Sequence, residues 1–175
     1  RENSLQKQKR MGDSMTQPPA QPGGLFRVFV LALSSNGGLG YAPFASGTVG
    51  TLAGIPCFYL LSQMPWPLAS LTLFALLMLS FWASHIAGQI YGVTDDGRIV
   101  IDELVGYLIT VAFLPFTWQT ALLGFFWFRL FDITKPPPAN WFDKKMKNGV
   151  GVVMDDVMAG IYAAIAVRLC LYLLG

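Results

Sequence analysis

Ten acidic residues are spread unevenly along this 175-residue chain, and five of them fall inside otherwise apolar stretches: Asp102 with Glu103, Asp132, and Asp155 with Asp156. Carboxylate oxygens without His or Cys beside them suit a hard cation such as Mg²⁺ or Mn²⁺. Two cations stand close by. Arg129, Asp132 and Lys135 recur at i, i+3 and i+6 and share one helix face, before Pro136-Pro137-Pro138 stops the helix. An Arg fork matches phosphate oxygens and a Lys supplies a point charge. The plainer reading is an internal Arg129–Asp132 pair with a snorkelling Lys135. A third element is the glycine-rich run Gly37 to Thr48. Ser46 is placed to cap a helix whose first N–H groups, on Gly47, Thr48 and Val49, form an anion-binding geometry. A capped helix after a loop explains the same residues. No Gly-Lys-Ser/Thr follows, so this is not a Walker A loop.

The elements that carry these residues are read from the spacing of charge. Hydrophobic residues make up 54% of the chain and charged residues 13%, which is poor in charge for a soluble domain. No Lys, Arg, Asp or Glu occurs from Val28 to Thr94, nor from Leu104 to Phe128. A bilayer accounts for such runs, since about 20 apolar residues cross its hydrocarbon as a helix. Cutting at the Pro-rich and Gly-rich interruptions gives five candidate spans: Gly47–Met64, Leu68–Ile90, Ile99–Leu114, Trp118–Thr134 and Val150–Leu174. Backbone in lipid must bond internally, so all five read as helices. The expected class is an all-α, multi-pass membrane bundle of about five transmembrane helices, with a short interfacial or re-entrant helix before them.

Lys and Arg set the orientation. Arg1, Lys7, Lys9, Arg10 and Arg27 precede the first span, Arg98 follows the second, and Lys135, Lys144, Lys145 and Lys147 follow the fourth. The Pro65 and Pro115 loops carry none. The N-terminus and the charged side are therefore expected to be cytoplasmic. Each of the five carboxylates then lies within roughly 10 Å of the cytoplasmic helix end, allowing ≈ 1.5 Å per helical residue. At mid-bilayer each would cost on the order of 2.5–3.5 kcal/mol. Adjacent acids point about 100° apart on a helix, so at most one of each pair need face the bundle, and a helix N-terminus favours the other.

The remaining segments are simpler. Residues 1–24 are polar, lack periodicity and read as a disordered tail, leaving 25–175 as one membrane-embedded domain. Leu25 to Ser35 is too short to span; a signal peptide is one reading and an interfacial helix the preferred one. His85 stands alone in an apolar span, Tyr107 and Thr110 read as structural, and Arg168 reads as snorkelling at the outer end. Two cysteines make no disulfide scaffold. A nucleic-acid partner is excluded by the absence of a basic face, and the oligomeric state is not set by the sequence.

Four runs together resemble phosphatidylglycerophosphatase A: Pro43-Phe44-Ala45-Ser46-Gly47-Thr48-Val49-Gly50-Thr51, Ile99 to Gly106 around Asp102-Glu103, Phe128 to Pro136 around Asp132, and Gly151 to Gly160 around Asp155-Asp156. The resemblance extends from about Gly38 into the last span, with the motifs in the family's order. Asp95 also matches a family position, while Asp96 falls where the family varies. The resemblance implies an all-helical, Mg²⁺-dependent phosphatase of the bacterial inner membrane. Its substrate would be phosphatidylglycerol phosphate and its product phosphatidylglycerol, and its partners the surrounding membrane lipids. Asp102, Glu103, Asp132, Asp155 and Asp156 are then the expected catalytic and metal-holding residues. Arg129, Lys135, Ser46, Gly47 and Thr48 would hold the substrate phosphate. The same acidic set in another class of protein would serve a small ion or metal transporter, although transport sites lie near the midplane of repeated architectures. A non-catalytic lipid-binding scaffold is the third class.

Overall fold

The computed structural model describes residues 23–137 and 149–174. The expectations for the polar tail up to residue 22 and for the Lys144, Lys145, Lys147 cluster lie outside the described residues. Among the described residues there are helices and no strands: α1 (Gly24–Ser34), a 3₁₀ turn (Leu39–Tyr41), α2 (Ser46–Ser62), α3 (Trp66–Tyr91), α4 (Ile101–Thr110), α5 (Trp118–Thr134) and α6 (Gly149–Leu174). The local signals are ordinary ones. Pro67 sits in the first turn of α3 and Gly92 ends that helix in the left-handed conformation. Thr117 and Thr120 form a reciprocal capping box at the start of α5.

α3 and α6, each of 26 residues, are long and apolar enough to cross a membrane. The five crossing helices expected from charge spacing are not confirmed. α2 and α5 have 17 residues, with Pro56 inside α2. The third candidate, Ile99–Leu114, contracts to α4, whose ten residues rise ~15 Å against a hydrocarbon layer of ~30 Å. Its apolar residues answer to a different demand. Leu104, Val105, Tyr107 and Leu108 are buried among Phe58, Ala121, Phe128, Ala159 and Ala163, so α4 is the core helix around which α2, α3, α5 and α6 pack. Charge-free sequence does not distinguish burial in lipid from burial in protein. The outer faces carry exposed Leu52, Leu71, Phe74, Leu122, Phe126, Ile161 and Ile165, an apolar surface that suits a membrane.

Small residues set the closest approach in this bundle. A Cβ on Gly160 would strike the Gly106 carbonyl, and one on Gly106 would strike the Phe128 ring and the Asp156 carbonyl. Thr110 Oγ1 donates to the Gly106 carbonyl at 3.0 Å and to that of Gly160 at 3.3 Å. Tyr107, fully buried, donates its hydroxyl to the Ala121 carbonyl at 3.2 Å. Both residues are structural, as expected. Tyr107→Phe should therefore lower stability by only about 1 kcal/mol, read as a small fall in the detergent melting temperature with unchanged activity.

The expected capping role of Ser46 is corrected. The residue preceding α2 is Ala45, held at φ 49°, and it makes no side-chain cap; Ser46 already belongs to the helix and donates its hydroxyl to the Gly97 carbonyl at 2.6 Å. Arg168, exposed near the end of α6, donates Nη2 to the Ala112 carbonyl at 2.7 Å. α1 packs beside α3 through Val30 against Ala83, Ala87 and Ile90, and Phe26 meets Trp82 edge to face at 6.0 Å.

Candidate active site

The charged end of the bundle is closed by the segment from Gly92 to Val100, which is fastened to the glycine-rich run. Asn36 Nδ2 donates to the Val100 carbonyl at 2.9 Å, and the Val100 N–H to the Ser34 carbonyl at 2.9 Å. Gly40 lies so near the Arg98 carbonyl that a Cβ would overlap it. Tyr41 and Tyr91 share a hydroxyl contact of 2.8 Å, and the Arg98 guanidinium lies 3.8 Å from the centroid of the Tyr91 ring. Arg98 also grips Asp96 through two 2.7 Å bonds, which hold that carboxyl below its ordinary range. A carboxylate with a lowered pKa adds stability above its unfolded value and loses it only as pH falls through the folded one. This fastening therefore persists at neutral pH.

Beneath it lies a polar cavity of ≈ 130 Å³ lined by Asp95, Asp102, Glu103, Asp132, Lys135, Asp155 and Asp156, with Gly97, Ile99 and Val152. α4 delivers Asp102 and Glu103 from its first turn, α5 delivers Asp132 from its last, and α6 delivers Asp155 and Asp156. Asp102, Asp155 and Asp156 are 3%, 6% and 5% exposed, so these are not solvated surface acids. One oxygen each from Asp102, Glu103 and Asp156 lie within 4.8 Å of one another, a spacing that could hold a metal ion. Glu103 Oε2 is buried with no hydrogen-bond partner among the described residues. Both members of each adjacent pair face inward. Asp102 and Asp155 each accept the N–H of the next residue at 3.1 Å.

The cations are tied to the acids. Arg129 Nη1 donates to Asp132 Oδ2 at 2.5 Å, and Lys135 Nζ to Asp155 Oδ2 at 2.5 Å. Lys135 ends α5 in the left-handed conformation at φ 41°, which folds the chain back. Tyr162 holds the returning chain by donating to the Pro137 carbonyl at 2.7 Å. The internal Arg129–Asp132 pair is thus real, while Lys135 turns into the cavity and does not snorkel. Arg129 Nε is buried with no partner among the described residues.

Gly47 belongs beside this cluster. A Cβ there would meet Glu103 Oε1 and would stand 3.1 Å from Arg129 Nη1. Ser46 supports the wall through Gly97 and does not line the cavity, and the half-buried Thr48 does not line it either. Asp95, outside the expected site residues, does line it. The signal was local: the run Asp95 to Arg98 immediately precedes the helix that bears Asp102.

Residues 32–171 match the family model described as Phosphatidylglycerophosphatase A. The protein of that name from Escherichia coli K12 is 40% identical over 128 residues, covering 73% of this chain and 74% of its own. The one from Haemophilus influenzae is 39% identical over 142 residues, covering 80% and 86%. A Bacteroides thetaiotaomicron protein with the provisional name phosphatidylinositol-3-phosphatase is 35% identical over 147 residues, covering 79% and 91%. No solved structure matches. An all-helical, membrane-associated chain with a buried carboxylate pocket thus falls in the class of phosphatases. Within that class, the chain belongs to the phosphatidylglycerophosphatase A family. Nothing in these comparisons supports the transporter reading.

Proposed function

We propose that this chain hydrolyses phosphatidylglycerol phosphate to phosphatidylglycerol, with Mg²⁺ in the acidic pocket, at the cytoplasmic face of a bacterial inner membrane. The substrate follows from the names of the two relatives at 39–40% identity. The observation that carries the site is the meeting of Asp102, Glu103 and Asp156 oxygens within 4.8 Å, in a cavity that also holds Lys135. The donor set is all carboxylate oxygen, which fits a hard divalent ion. Buried like charges at that separation repel one another, and Glu103 Oε2, unpartnered among the described residues, suits a further positive partner. Bound there, Mg²⁺ supplies charge neutralisation and Lewis acidity.

The chain's own groups do the rest. Arg129 and Lys135 are oriented in advance by Asp132 and Asp155, so their charge is fixed where a phosphate would enter. Arg129 Nη1 lies next to Gly47, and Gly47 leaves space that a side chain would fill. Hydrolysis adds water across the terminal P–O ester bond: the water oxygen bonds to phosphorus, and the glycerol oxygen leaves with a proton. Orthophosphate and the lipid alcohol result. The polar Asp95–Arg98 segment and Lys135 share one end of the bundle with the pocket, which the positive-inside rule supports as cytoplasmic.

The relative with the inositol-lipid name sets the rival substrate. Phosphate release from phosphatidylglycerol phosphate and from phosphatidylinositol 3-phosphate, measured side by side, tests the choice. At least tenfold higher kcat/KM on the former is expected; preference for the latter would reassign the substrate without moving the site.

A further inference from the structure

We infer that Arg168 is a positioning residue for the carboxylate pocket, acting from the opposite end of α4. The inference rests on the phosphatase reading above for what the pocket does. α4 ends after ten residues inside the bundle, and the last carbonyls of a helix have no intrahelical partner. The chain beyond it turns sharply, with Phe113 at φ 60°. Donors for two of these carbonyls come from the protein itself. Arg168 supplies them from α6: Nη2 donates to the Ala112 carbonyl at 2.7 Å and Nη1 to the Thr110 carbonyl at 3.4 Å. Nη1 is itself steadied by the Ala164 carbonyl at 3.0 Å. A cation at a helix C-terminus also complements the helix dipole.

The consequence for the site is geometric. α4 carries Asp102 and Glu103 at its first turn, while α6 carries Asp155 and Asp156 little more than one turn before the contact with α4 at Gly160 and Thr110. One helix therefore bears both half of the pocket and the clamp on the helix that bears the other half. The fork across Thr110 and Ala112 fixes how far α4 slides along α6, and hence whether Asp102 and Asp156 oxygens meet. The glycine contact between Gly106 and Gly160 sets the separation of the two helices; Arg168 sets their axial register. A misplacement of about 1 Å at a reacting centre can cost about 10²-fold in rate.

The test compares Arg168→Met, which removes every donor, with Arg168→Lys, which keeps the charge and loses the fork. Both use the full chain in detergent, with folding checked by melting and size exclusion. Phosphate release and the dissociation constant for Mn²⁺, read by electron paramagnetic resonance, are measured on each. The expected result is at least a tenfold fall in kcat with KM within twofold, at least tenfold weaker Mn²⁺ binding, and intermediate values for the Lys variant. A folded Arg168→Met with wild-type kcat and Mn²⁺ affinity overturns the inference and leaves the phosphatase reading intact. If Arg168→Met does not fold, wild-type values in Arg168→Lys overturn it. Wild-type protein that binds Mn²⁺ without releasing phosphate overturns the reaction alone, and the affinities still decide the clamp. Wild-type protein that does neither overturns both.

Discussion

Asp156→Asn, alone or with Asp102→Asn, is expected to lower phosphate release by at least about 10²-fold while leaving the protein folded. The two side chains have nearly the same shape, and both sites are almost fully buried, so packing barely changes. What changes is charge. Asp102, Glu103 and Asp156 crowd their oxygens within 4.8 Å, and removing one negative charge relieves their repulsion. The melting temperature of the metal-free variant should therefore equal or exceed that of the wild type, the opposite direction from the activity. A residue whose loss stabilises the fold and abolishes turnover is one retained for function. Paired melting and phosphate-release curves on the variants check both signs. Equal losses of stability and activity would instead mark Asp156 as a structural group.

The second large effect is expected at Gly47. Gly47→Ala places a methyl group against the Glu103 carboxylate and close to Arg129 Nη1. The far end of a flexible side chain can rotate aside, so the fold tolerates the change, and Ala is the better helix former by about 0.5–1 kcal/mol. Glu103 cannot rotate aside and also remain in register with Asp102 and Asp156. Phosphate release should fall by about 10²-fold with little change in melting temperature. Gly54→Ala is the contrasting case seven residues along α2, where the added methyl would strike the buried Tyr107 ring. That variant should lose about 1–3 kcal/mol of stability through overpacking. Activity per folded molecule should be retained. If the two variants behaved alike, Gly47 would be another packing glycine.

Much of this architecture was legible in the sequence because the signals are local and redundant. Trp118–Thr134 has the expected bounds to the residue, since Pro115 and Thr117 mark its start and Pro136 its end. Four of five expected helices agree within two residues at each end. The failure was Ile99–Leu114, and it has one cause: hydropathy measures removal from water, which protein and lipid accomplish equally well. Among the acids, type and depth were readable, and the inward orientation of both members of each pair was not. That orientation is set by how α4, α5 and α6 pack around the cavity, which the sequence of one helix does not carry. The role of Arg168 was hidden for the same reason as the length of α4. An Arg near the end of an apolar helix reads as snorkelling until the partner carbonyls, more than 50 residues away in sequence, are in place. Ser46 illustrates the converse, where a strong capping residue was drawn into a tertiary bond to Gly97.

The most direct test of the account is orthophosphate release from phosphatidylglycerol phosphate by the purified full chain in detergent. Release would be followed with Mg²⁺, after excess EDTA, and after Mg²⁺ is restored. The account predicts release that stops with the chelator and returns with the ion. Undiminished release in excess EDTA would contradict a role for a divalent ion in the acidic pocket. No release in any condition, from protein shown to be folded, would contradict the assignment of this reaction to the chain.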